Sequence, residues 1–153
     1  MAHYAFINED SVVVDVIVGV DENSPTPEGF DTWEDFYADQ KGLVCKRTSY
    51  NTHAGVYTTT DENGEIIPVA DNLQGLAFRG NFAIISGIYD AERDVFLPAK
   101  PYNSWIYDES NINWKAPVDK PDDYELVPYL WDEANLQWTE VTADNDPEGA
   151  HFG

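Results

Sequence analysis

Apolar residues run in short blocks along most of this chain, and turn residues separate them. Tyr4-Ala5-Phe6-Ile7 and Val12-Val13-Val14-Asp15-Val16-Ile17-Val18 are β-branched and aromatic, and they flank Asn8-Glu9-Asp10-Ser11. This predicts a first hairpin over residues 4–20. Residues 21–30 collect Asn, Ser, Pro and Gly and predict a loop. A helical period occurs at Thr32–Gln40: Thr32 suits an N-cap and Glu34 and Asp35 suit the first turn, while Trp33, Phe36 and Tyr37 share one face. Gly42 is placed to end it. Leu43–Tyr50 and Val56–Thr60 read as strands. The second leads through Asn63-Gly64 into Glu65-Ile66-Ile67, a tight hairpin signal in which both turn residues take positive φ. Residues 68–77 predict a loop, and Asn81–Tyr89 with Val95–Leu97 a further hairpin. Pro98, Pro101, Pro117, Pro121 and Pro128 then cut the chain into short extended pieces, because proline cannot sit in a central ladder.

Four of these blocks share one template. Tyr107-Asp108-Glu109-Ser110-Asn111-Ile112-Asn113-Trp114 matches Trp131-Asp132-Glu133-Ala134-Asn135-Leu136-Gln137-Trp138 almost position by position. Tyr89-Asp90-Ala91-Glu92-Arg93-Asp94-Val95-Phe96 follows the same outline, and Ile7–Val14 is a non-aromatic copy. Each octad predicts a hairpin with a four-residue loop. The terminal side chains meet across the strands, Asp at the loop entrance accepts from loop N–H groups, and Asn tolerates a left-handed backbone. Aromatic cross-strand pairs contribute about 0.2–1 kcal/mol each. The repeat encodes architecture rather than chemistry.

The predicted fold is mainly β: antiparallel hairpins or a meander forming a sandwich- or barrel-like body, with one short helix near residues 32–40. Residues 1–97 form the body. Residues 98–141 form a region of Pro- and Trp-rich hairpins, and 142–153 an acidic, flexible tail. Two adjacent hairpins alone are marginal, so the second region is expected to dock on the body or on a partner.

Charge changes the picture most. The 153 residues hold 29 Asp and Glu against 8 Lys and Arg, a net charge of −21, with 14% aromatic residues. Highly charged chains that stay unfolded are poor in aromatics, so a folded body within a negative shell is expected. Such a shell repels nucleic-acid phosphates. Met1-Ala2-His3 opens without a basic segment, and the run Val12–Val20 is interrupted by Asp15. Neither a secretory signal nor a membrane span is expected, so a soluble chain is. Cys45 is the lone cysteine and reads as a small buried hydrophobe.

Catalytic chemistry finds little support. His3, His53 and His151 stand in no nucleophile motif and make no zinc spacing with Cys45. Carboxylate pairs carry no specificity among so many acids. Asp144-Asn145-Asp146 with Glu148, and Asp61-Glu62-Asn63, cluster oxygen ligands but fit no EF-hand pattern. The expectation is a non-enzymatic chain without cofactor or metal. Candidate partner-interface residues are Trp105, Tyr107, Trp114, Tyr129, Trp131 and Trp138, with Asn63 and Gly64 at the hairpin tip. Cross-strand pairing, a partner interface and a sugar-stacking platform are the readings open to these rings.

Thr48-Ser49-Tyr50-Asn51-Thr52 with Gly55, Phe78-Arg79 with Asn81-Phe82-Ala83, Tyr89-Asp90 with Arg93-Asp94, Phe96-Leu97-Pro98, Ser104-Trp105, Trp114 with Ala116-Pro117-Val118, and Trp131-Asp132-Glu133 carry a resemblance. In combination they resemble small acidic proteins of marine tailed phages, above all phages of cyanobacteria. The chain departs from that pattern at His53-Ala54, at Asn63-Gly64 and over Tyr124–Pro128. The resemblance implies a virion-associated protein, foremost an auxiliary decoration or knob on the capsid. Its partners would be capsid or other virion proteins, with a homo-oligomer as an option and neither nucleic acid nor membrane as a partner. It would reside on the particle surface and be soluble in the host cytoplasm before assembly. Two rival readings are a glycan- or host-binding module on a tail or fibre, and an acidic intracellular effector that mimics DNA.

Overall fold

The computed structural model describes residues 2–142; the predicted acidic tail, from residue 143 on, lies outside the described residues. The chain is mainly β, in small antiparallel sheets with a single short α-helix among the described residues. The described residues divide into two compact units, one running to residue 99 and including 108–113, the other made of 100–107 and the residues from 114 on. The break after residue 99 falls close to the predicted boundary, but the loop of the third aromatic octad belongs to the first unit.

In the first unit, β1 (Ala2–Ile7) lies between β2 (Val13–Gly19) and β3 (Val44–Thr48) in an open antiparallel sheet of order β2-β1-β3. Successive side chains point to opposite faces of a strand, and β1 is apolar on both. Ala5 and Ile7 pack with Val13, Ala83, Tyr89 and Phe96 on one face. Ala2, Tyr4 and Phe6 pack with Cys45 on the other, where Trp33, Tyr37 and Ala38 of helix α1 (Trp33–Lys41) cover them. A strand buried on both sides needs no alternation, which is why β1 reads as a continuous apolar run. Burial pushes the Cys45 thiol up to about 12, so it remains a protonated packing group.

Helix α1 follows its local signals. The Thr32 hydroxyl accepts from the Asp35 N–H at 3.0 Å, and Gly42 closes the helix in the left-handed conformation, its N–H donating to the Ala38 carbonyl. The Tyr4 hydroxyl donates to the Val20 carbonyl at 2.6 Å, while the Val20 N–H donates to the Tyr37 hydroxyl at 3.1 Å.

The octads form hairpins. In β7 (Ile88–Asp90) and β8 (Val95–Leu97), Tyr89 pairs with Phe96, and in β11 (Tyr129–Asp132) and β12 (Gln137–Glu140), Trp131 pairs with Trp138. The rings of Tyr107 and Trp114 meet at 6.5 Å across β9 (Ile106–Asp108) and β10 (Asn113–Lys115). The Asp at octad position two accepts loop N–H groups through Oδ1 in all three, from Arg93 at 3.1 Å, from Ser110 at 3.1 Å and from Asn135 at 3.2 Å. Its Oδ2 takes a side-chain donor from position five: Arg93 at 2.8 Å, Asn111 at 2.7 Å and Asn135 at 2.8 Å.

Four predicted details are corrected. First, Asn111 and Asn135 do not take the left-handed backbone; the next residue does, at Asp94 (φ 55), Ile112 (φ 47) and Leu136 (φ 52). Asn at position five is used for its amide instead. Second, the non-aromatic copy is one residue shorter: Ile7 pairs with Val13 rather than Val14, a bulge follows, and Ser11 carries the positive φ. Third, Asn63-Gly64 is not a two-residue turn. The Gly64 N–H donates to the Asp61 carbonyl, only Gly64 has positive φ (84), and Thr60 pairs with Ile66 between β5 (Val56–Thr60) and β6 (Ile66–Pro68). The Asp61 Oδ1 accepts from the N–H groups of Asn63 and Glu65, so this loop needs one left-handed residue, and Gly supplies it without steric cost. Fourth, the predicted loop at 68–77 contains a 3₁₀ helix over Asp71–Leu76. The strand predicted over Leu43–Tyr50 is confined to β3.

Leu136 is half exposed, at 48%, and left-handed. The left-handed region costs an L residue with a Cβ about 1–2 kcal/mol, and Asn pays less of it than Leu. Leu136→Asn is therefore expected to raise stability by about 0.5–1 kcal/mol, read as an upward shift of the thermal midpoint. Ile112, equally strained, differs because its side chain covers Gly80: a Cβ built there would lie 3.0 Å from Ile112 Cδ1 and Cγ2.

The segment predicted as a strand from Asn81 becomes strand only at Ile88. Its first residues bond to several segments rather than to one ladder. The Arg79 carbonyl accepts from the Phe96 N–H at 3.0 Å, and the Gly80 carbonyl from the Gly55 N–H at 2.7 Å. The Asn81 Oδ1 accepts from the Ala54 N–H at 2.9 Å, beside the short strand β4 (Thr52–His53). The Asn81 Nδ2 donates to the carbonyls of Phe96 and Ile112, both at 2.8 Å. The Phe82 N–H donates to the Thr52 carbonyl at 2.9 Å, and the Ala83 N–H to the Thr48 hydroxyl at 2.8 Å. Arg79-Gly80-Asn81-Phe82-Ala83 is thus a knot that holds β3, β4, β8 and the 108–113 loop together.

Candidate interaction surface

The polar side chains of the first unit are largely consumed by its own architecture. Arg79 donates to Asp94 Oδ1 at 2.7 Å and to the Arg47 carbonyl at 2.8 Å, and lies 3.4 Å from Glu34 Oε2. The Tyr89 hydroxyl donates to the same Asp94 oxygen. Glu34 also accepts the Arg47 N–H at 2.8 Å. Arg47 in turn pairs with Glu22 at 2.9 Å, and its guanidinium lies over the Phe78 ring. These groups orient one another and leave no free acid–base pair among them.

The second unit is built on rings. Trp131 is buried, and its ring lies 5.2 Å from Trp138 and 6.2 Å from Trp105, edge to face in both cases. Trp138 meets Trp105 at 6.2 Å and Tyr124 at 5.4 Å, and Tyr124 stacks on Tyr129 at 6.2 Å. Their polar tips are anchored too. The Trp131 indole N–H donates to Glu133 Oε1 at 2.8 Å, and that carboxylate also accepts the Ser104 hydroxyl and the Ser104 N–H. The Trp138 indole N–H donates to the Val118 carbonyl at 3.0 Å, and the Tyr129 hydroxyl to Asp123 at 2.7 Å. Hydrogen bonds from Ser104 and Trp131 hold the Glu133 carboxyl below the usual carboxylate range. The Trp105 indole N–H is buried without a hydrogen-bond partner among the described residues.

The structure therefore gathers Trp105, Trp131 and Trp138 into one cluster, reached by Tyr129 through Tyr124. Tyr107 and Trp114 meet each other, and Lys100 lies over the Trp114 ring at 5.3 Å. Asn63 and Gly64 are exposed at a hairpin tip in the first unit. Edge-to-face ring pairs contribute about 0.5–1.5 kcal/mol each beyond area burial. Only Trp131 and Val141 are buried apolar residues among the described part of this unit, so the rings hold it together and are poorly placed to leave for a partner. What the unit presents at its surface is largely aliphatic: Leu126, 87% exposed, with Leu136, Ile106, Val118 and Leu130, beside the ring of Tyr102. Ile66, 75% exposed, sits beside the Asn63-Gly64 loop in the first unit. Sequence reasoning weighed the rings and did not single out these residues.

No group of three or more His, Cys, Asp or Glu side chains able to hold a metal occurs among the described residues. The Asp61 carboxylate is engaged within its own loop, and Asp144–Glu148 lie outside the described residues. No helix of the described chain is long and apolar enough to cross a membrane. Comparison of the chain with models of known families, with curated proteins and with solved structures finds no match.

Proposed function

We propose that this chain is a non-enzymatic structural protein of a virus particle, an auxiliary decoration that docks on the capsid shell. The observation that carries the reading is the division of labour in the second unit, where rings serve as core and aliphatic side chains are left at the surface. Exposed apolar side chains on so acidic a chain are what a docking surface needs, because burying them drives attachment while the carboxylates keep the displayed face soluble. Among the residues that carry the phage resemblance, Thr48, Arg79, Asn81, Tyr89 and Asp94 are spent on holding the fold, which agrees with a structural rather than a catalytic role. The docking contacts are assigned to Leu126, Leu130, Leu136 and Ile106 of the second unit. A stable attachment buries about 1,200–2,000 Å² in total.

Mass spectrometry of density-purified particles tests this directly. The expected result is the chain at a fixed ratio to the major capsid protein, with that ratio falling sharply for Leu126→Asp and Leu130→Asp. Recovery of the chain only from the lysate, and never from particles, would overturn the proposal.

A further inference from the structure

One groove of the first unit gathers polar groups that the fold does not consume. It measures about 360 Å³ and is lined by His3, Asp21, Glu22, Asn23, Arg47, Ser49, Tyr50 and Tyr57. The volume is at the small end of the range for ligand pockets. Ser49 is 3% exposed, and its hydroxyl, which no described residue hydrogen-bonds, opens on the groove rather than being sealed in the core. The His3 imidazole and the hydroxyls of Tyr50 and Tyr57 are likewise unpaired among the described residues. This is unusual for the unit, where Thr48, Gln74, Arg79 and Asn81 all bond internally.

The local folding explains how the groove forms. Within Thr48-Ser49-Tyr50-Asn51-Thr52 both threonines are fully buried, while Ser49 and Tyr50 reach the groove and Asn51 turns the chain with φ 62. Tyr50 is 59% exposed, and its ring stacks on His3 at 5.6 Å, with Phe82 edge-on to both. The rings are therefore held in place while part of the Tyr50 ring stays open.

The same residues select a ligand class. Arg47, the cation of the groove, is occupied by Glu22 at 2.9 Å and by the His3 carbonyl at 3.2 Å, so it offers little to an anion. Asp21 and the net charge of −21 repel anions further. A cation would find only Asp21 unpaired with a base, and an exposed carboxylate contributes little. Burial and the nearby Arg47 hold the His3 imidazole below its ordinary range, so at neutral pH it is one donor and one acceptor. Open ring surface beside neutral donors and acceptors suits a molecule with an apolar C–H face and a rim of hydroxyls. We infer that this groove binds a neutral sugar residue, seated against Tyr50 and hydrogen-bonded by Ser49 and His3.

The site goes beyond the proposed particle attachment and is tested without particles. Saturation-transfer NMR on the full chain uses methyl α-glucoside, methyl α-mannoside, methyl β-galactoside and N-acetylglucosamine as probes, with N-acetylneuraminic acid as the anionic control. The expected result is transfer to at least one neutral probe and none to N-acetylneuraminic acid, together with a shift of the His3 ring resonances and not those of exposed His53. Ser49→Ala, which removes one oxygen, and Tyr50→Ala, at an exposed position, should each weaken the binding about fivefold or more. No transfer from any neutral probe at millimolar concentration would overturn the inference. So would binding that Ser49→Ala and Tyr50→Ala both leave unchanged.

Discussion

Asn81→Ala is expected to destabilise the protein by about 3–5 kcal/mol, one of the largest single-residue effects short of emptying the core. The side chain makes three hydrogen bonds to three segments distant in sequence, at Ala54, Phe96 and Ile112. Alanine leaves one N–H and two carbonyls without partners, and each buried orphan costs about 1–3 kcal/mol. The sites are part-buried, which keeps the sum near the low end. Urea unfolding should show a lower midpoint with little change in slope. Asn81→Asp makes the assignment sharper. It retains the acceptor for the Ala54 N–H but turns an anionic oxygen toward two carbonyls. Its folded-state carboxyl pKa must then rise, because only the protonated form donates. By linkage, Asn81→Asp should regain stability as the pH falls below that raised pKa, whereas Asn81→Ala should not. A loss under 1 kcal/mol for Asn81→Ala at neutral pH would mean that water replaces the amide, and that the knot at 79–83 is weaker than its geometry.

Legibility in the sequence follows the range of the forces involved. The helix was readable because its determinants are neighbours: Thr32 caps Asp35 three residues on, and Gly42 ends the last turn. The aromatic octads were readable for the same reason, since Asp90, Asp108 and Asp132 bond residues two or three positions ahead. The cross-strand ring pairs followed from those turns. Where the outcome depended on distant partners, local reading failed. Asn81-Phe82-Ala83 looks like the start of a strand, but its groups are claimed by Ala54, Thr52 and Thr48. No window around residue 81 contains those partners. The shortened first hairpin shows a subtler limit. Ile7 to Val14 has the octad spacing, but Ser11 takes the left-handed turn one position early and the register moves with it. At the candidate surface the tryptophans were legible as rings, and their mutual packing was not. The groove around Ser49 was invisible, because Asp21-Glu22-Asn23 and Ser49-Tyr50 meet only through the pairing of β1 with both neighbours.

Arg79→Met should cost about 2–3 kcal/mol at pH 7, and the cost should shrink in acid. Arg79 is largely buried and serves two carboxylates and one carbonyl, whereas its closest partner, Asp94, is more than half exposed. The Asp94 pair is therefore discounted for solvent screening, and the expected loss comes mainly from the Arg47 carbonyl, left without this donor, and from Glu34, which keeps the Arg47 N–H but loses its nearby guanidinium. The methionine retains most of the aliphatic packing, so the difference reports charge rather than volume. The pH dependence follows from Asp94. Burial opposes its ionisation, but the hydrogen bonds from Tyr89 and Arg79 outweigh burial and hold its carboxyl below the usual range. A depressed carboxylate contributes stability above its unfolded pKa of about 3.9, and loses it as the pH falls through the lower folded value. The wild type should therefore shed this contribution below about pH 4, while Arg79→Met has already lost the part that Arg79 supplies. Unfolding curves for the two proteins should converge between neutral and strongly acidic pH. A stability gap that stays constant across that range would show that Arg79 acts through its hydrogen bond to the Arg47 carbonyl, and that the ion pairs around it are incidental to the fold.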